Sequence, residues 1–62
     1  MSESRLLQIR VEMEMLITER EAMLAFNAHR AMQGFAQGYG EEAFARVQVG
    51  LEHLATALRE GA

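Results

Sequence analysis

The residues that could do chemistry in this chain are few, and they stand where apolar residues are expected. Arg20 and Asn27 fall in the middle of the main apolar stripe of a long helical run, and Arg30 follows close behind. A guanidinium presents a planar fork of donors that matches carboxylate and phosphate groups. Arg20, Asn27 and Arg30 therefore form a candidate set for a nucleotide-like anion held between subunits. A charge within an apolar stripe is costly to bury unless it is paired, so the plainer reading of Arg20 is an ion pair with Glu19, Glu21, Glu41 or Glu42. The plainer reading of Asn27 is a buried asparagine that fixes register and oligomer state. Tyr39, between Gly38 and Gly40, reads equally as a packing lid or as an exposed recognition aromatic, a residue type enriched at interface hot spots.

Catalysis finds little to work with. The chain has no cysteine, and Ser2, Ser4 and Thr18 have no base within a recognisable pattern. His29 and His53 belong neither to the Glu-x-x-His pairs of di-iron bundles nor to a His-Glu-x-x-His zinc helix. The expectation is a protein that is not an enzyme and has neither a metal nor a cofactor.

Composition narrows the class further. All six bases are arginine and all nine acids are glutamate, giving a net charge of −3, whereas a nucleic-acid partner calls for a basic stripe. No apolar run approaches the ~18 residues of a membrane span, so neither nucleic acid nor membrane is expected as a partner. The Met1-Ser2-Glu3-Ser4 start lacks a charged region followed by an apolar core, and a cytoplasmic location is expected. Half of the 62 residues are hydrophobic, which favours folding over disorder. A chain this short buries only about 60% of its unfolded surface. Without disulfides or a metal, oligomerisation is the remaining support.

The elements that must position these residues follow from spacing. No glycine or proline interrupts Arg5 to Gln33, and Ser2 or Ser4 can cap the helix start. Leu6, Ile9, Met13, Leu16, Ile17, Met23, Leu24, Ala28, Ala31 and Phe35 recur at helical spacing on one face. A second stripe of Leu7, Val11, Met15, Ala22 and Phe26 runs down the opposite side. Gly34, Gly38 and Gly40 mark a break, with Gly38 assigned the left-handed conformation past the helix end and Gly40 the N-cap of a second helix. That helix carries Phe44, Val47, Leu51, Leu54 and Leu58 in 3-4 alternation, beside small residues Ala43, Gly50 and Ala57. The reading is all-α: a single domain over 1–62, with a helix about 4–36, a turn about 37–40 and a helix about 41–60. These make an antiparallel two-helix hairpin with a long first helix. By rise per residue the second helix is expected to reach back only to about residue 17, leaving Leu6 to Leu16 overhanging. A homodimeric helical bundle would cover that overhang.

Ile17-Thr18-Glu19-Arg20-Glu21-Ala22-Met23, then Asn27, then Tyr39-Gly40-Glu41-Glu42-Ala43-Phe44 resembles a group of short proteins encoded by temperate phages and prophages. Their pattern reads I-T-E-R-E-G-M, A-E-N, Y-G-E-E-A-F. The resemblance covers about residues 15 to 47. The chain departs from the pattern at Ala22, where glycine is usual, and at Phe26, where glutamate is usual; Phe26 makes the second stripe more apolar. The resemblance implies a source more than an activity, and small phage proteins commonly bind and block a host protein. The expected function is accordingly a phage-encoded accessory protein that binds and inhibits a host protein in the host cytoplasm. Its contact surface is expected at Leu7, Val11, Met15, Phe26 and Tyr39. The alternatives are the anion binder built on Arg20, Asn27 and Arg30, and a purely structural oligomerisation module.

Overall fold

The computed structural model describes residues 1–61, and these form two antiparallel helices, α1 (Glu3–Met32) and α2 (Glu41–Gly61). Both starts follow from local sequence. The Ser2 hydroxyl accepts the Arg5 backbone N–H at 3.1 Å, satisfying one of the free donors of the first turn. Gly40 opens α2 by accepting Ala43 N–H and Phe44 N–H at its carbonyl, at 3.1 and 3.3 Å, with Glu41 and Glu42 in the positive first turn.

Helix α1 stops at Met32, short of the expected residue 36. The left-handed residue is Gly34, with φ of 79°, and not Gly38. Around it Phe35 N–H bonds the Arg30 carbonyl at 2.9 Å and Gly34 N–H bonds the Ala31 carbonyl at 3.1 Å. That pairing is the Schellman arrangement, which closes the last turn and turns the chain back. Gly38 is glycine for a different reason: a Cβ there would overlap the Phe26 ring.

Residues 33–40 then run back along the last turns of α1 instead of forming a short link beyond its tip. This overturns the expected overhang of Leu6 to Leu16. The second helix begins well down the side of α1 and reaches its first residues, where the Met1 ammonium donates to the Gly61 carbonyl at 3.2 Å. Ile9, placed by sequence in the uncovered segment, is fully buried. Midway, Leu16 packs on Gly50, where a Cβ would lie 3.0 Å from Leu16 Cδ1. The glycine that is unfavourable inside a helix is there so that the helices can approach.

The result is one layer, 48 × 17 × 9 Å. A single layer has a seam but no enclosed interior. Ile9, Met23 and Val47 are its buried hydrophobic residues, and no polar or charged side chain among the described residues is buried.

Candidate functional site

Each residue singled out by sequence can now be placed. Arg20 projects from the middle of α1 into solvent. The cost of burying a guanidinium, which motivated both readings of Arg20, does not arise in the single hairpin.

Asn27 has a definite task. Its Oδ1 accepts Gly38 N–H at 3.1 Å and Tyr39 N–H at 2.9 Å, while its Nδ2 donates to the Tyr39 carbonyl at 2.8 Å. One amide side chain thus completes the polar groups of a loop strand that has no neighbour of its own. Arg30 acts beside it: Nε donates to the Ala36 carbonyl at 2.7 Å. Its guanidinium carbon lies 5.7 Å from the Phe26 ring centroid and 5.3 Å from that of Phe35, within the range of a cation–π contact. Phe26 meets Tyr39 edge to face, with centroids 5.5 Å apart.

These contacts make the loop pole a small structured cap. Asn27 and Arg30 hold the chain's own backbone, and Arg20 lies about two turns away along α1. Sequence reasoning missed this clamp. The available signal was an eight-residue link with three glycines, long enough to double back onto a polar side chain in the final turns of the helix.

The five residues expected at a partner contact divide into two places. Leu7, Val11 and Met15 form a ridge on the outer side of α1, with 63%, 49% and 66% of their surface exposed. Phe26 and Tyr39 belong to the cap, about 28 Å from Leu7 at 1.5 Å per residue, and remain 45% and 39% exposed.

The two broad sides of the layer differ. One holds a groove of about 610 Å³ in which Glu3, Arg10 and Glu14 accompany Leu6, Met13, Ile17 and Leu58, with Leu7 of the ridge at its border. The other holds a groove of about 440 Å³ in which Glu12, Glu19 and His53 accompany Met15, Leu16 and Leu54. Neither is lined by Arg20, Asn27 or Arg30. Among the described residues no cluster of histidine and acidic side chains is arranged to hold a metal ion, and no helix is long and apolar enough to cross a membrane. Compared with protein-family models, with curated proteins and with solved structures, the chain matches none of them.

Proposed function

We propose that this chain is a self-associating helical adaptor, a homodimer that binds and inhibits a host protein through surface left free in the dimer. The observation that carries the reading is the surface of the single hairpin. It exposes 4930 Å², whereas a compact monomer of 7.0 kDa exposes about 4,000 Å². The difference, about 900 Å², is close to the ~800 Å² that each partner buries in a standard interface. Leu6, Leu24 and Met32, at 44%, 54% and 87% exposure, belong to this excess.

Once the hairpins pair through the broad side that Leu7 borders, Val11 and Met15 of the outer ridge remain available. Neighbouring apolar side chains on a rigid helix are the kind of anchor that a complementary groove takes up. The resemblance to phage proteins supplies the class of partner, a protein of the bacterial host.

Light scattering across a dilution series tests the first half. Twice the chain mass at micromolar concentration is the expected result, and a monomer throughout would sink the proposal. Affinity capture from bacterial lysate, with wild type beside Val11→Glu/Met15→Glu, tests the second. A protein retained by wild type and lost from the variant is expected; retention by both would exclude the ridge.

A further inference from the structure

Resting on that self-association, we infer that the second copy sits on the Leu6–Ile17–Leu58 side of the layer, related by a two-fold axis that crosses the hairpin at the Leu16–Gly50 contact. This sets α1 antiparallel on α1 and α2 antiparallel on α2.

The choice of side comes from its chemistry. Leu6, Ile17 and Leu58 line the groove on that side. Steps of seven residues, two helical turns, carry the same face from Ile17 to Leu24 and from Leu58 to Leu51 and Phe44. Both grooves carry ionisable side chains, Glu3, Arg10 and Glu14 on this side and Glu12, Glu19 and His53 on the other; only this side sets an arginine among its carboxylates, so that two copies can pair opposite charges across it.

The axis comes from the charges on the rim. Arg10 lines the groove on this side, and Glu21, three turns further on, continues its strip. On α2, Glu41 and Arg59 lie five turns apart on one strip, beside Phe44 and Leu58. A two-fold axis across an antiparallel pair of identical helices exchanges positions equidistant from it. The axis that sets Arg10 against Glu21 of the second copy passes between Met15 and Leu16. The axis that sets Arg59 against Glu41 of the second copy passes through Gly50. These requirements arise on different helices, and the structure satisfies both with one axis, because Leu16 packs on Gly50. In the same register Gln48 and Glu52 exchange places, and Arg20 comes within one turn of Glu14 of the second copy. The other two-fold arrangement lays α1 over α2 and brings Glu21 toward Glu41, two like charges.

The absence of cysteine makes the test direct. Gln48→Cys places a thiol within one turn of its own copy across the proposed axis, on the same side of the layer. Val11→Cys places one on the outer edge, away from it. A short bis-thiol reagent is expected to link Gln48→Cys into a covalent dimer and to leave Val11→Cys as single chains. In parallel, Arg10→Glu and Glu21→Arg are each expected to weaken dimerisation about tenfold, since every substitution acts twice across the axis. The double variant should recover wild-type affinity. If wild type is a dimer by light scattering but Gln48→Cys does not cross-link, or the double variant is no better than the singles, this geometry is overturned and self-association stands. If wild type is a monomer, both fall.

Discussion

Replacing Asn27 with alanine removes all three hydrogen bonds that seat the loop, those from Gly38 N–H and Tyr39 N–H and that to the Tyr39 carbonyl. A net hydrogen bond contributes about 0.5–1.5 kcal/mol. The loop is open to water, which can solvate the released groups, so the lower half of that range applies and the total is about 1.5–3 kcal/mol. A chain of 62 residues has roughly 3–9 kcal/mol of stability, so the loss is a large share of the whole. Urea unfolding followed by far-ultraviolet circular dichroism, at one fixed protein concentration because the proposed association would add to stability, reads the change as a lower midpoint. Asn27→Asp keeps the acceptor for both N–H groups and loses the donor to the Tyr39 carbonyl, so its midpoint is expected between wild type and Asn27→Ala. If Asn27→Ala unfolds within about 0.5 kcal/mol of wild type, the loop does not depend on this side chain. If Asn27→Asp is the less stable of the two, repulsion between its carboxylate and the Tyr39 carbonyl outweighs the paired acceptor.

Other consequences follow from the same packing. Gly34→Ala places a Cβ at φ of 79° and is expected to lose about 1–2 kcal/mol in the same urea assay. Gly50→Ile forces a branched side chain into Leu16 and is expected to cost about 1–3 kcal/mol, although isoleucine is the better helix former; a gain would mean that the helices stand further apart at this level. Val11→Glu/Met15→Glu alters the outer ridge away from the Leu6–Ile17–Leu58 side and is expected to leave the unfolding free energy within about 0.5 kcal/mol of wild type and the light-scattering mass unchanged.

What could be read from the sequence was local. Ser2 at the start of α1, Gly40 before α2 and the Phe44-Val47-Leu51-Leu54-Leu58 seam are each set by a few neighbouring residues, and each stands where the sequence placed it. The end of α1 was less legible. Three glycines within seven residues could each have taken the left-handed turn, and the selection of Gly34 is bound up with the return of the loop onto Asn27 and Arg30. That return is a tertiary event with no periodic signature. The reach of α2 was hidden for the same reason: residues 33–40 are not a link of negligible extent but lie along the last turns of α1, back to Asn27. Arg20 shows a further limit: its position on the helical wheel is apolar, yet an arginine beside a one-layer seam can extend past the edge into water.

The contact between Met1 and Gly61 bears on how this chain can be handled. Met1 and Gly61 lie together at one pole of the hairpin, and the loop cap occupies the other. Joining the ends with a short linker closes the chain at small entropic cost. New termini could then be opened in residues 33–40 without cutting either helix, giving a circular permutant whose α2 precedes its α1. Such a permutant separates the two roles of the loop. A version that still folds shows that the loop clamp stabilises the pairing of α1 with α2, whereas one that does not shows that the clamp is needed for them to find each other. The same geometry lets the hairpin be inserted as a side branch into a surface turn of another protein, both junctions lying next to each other.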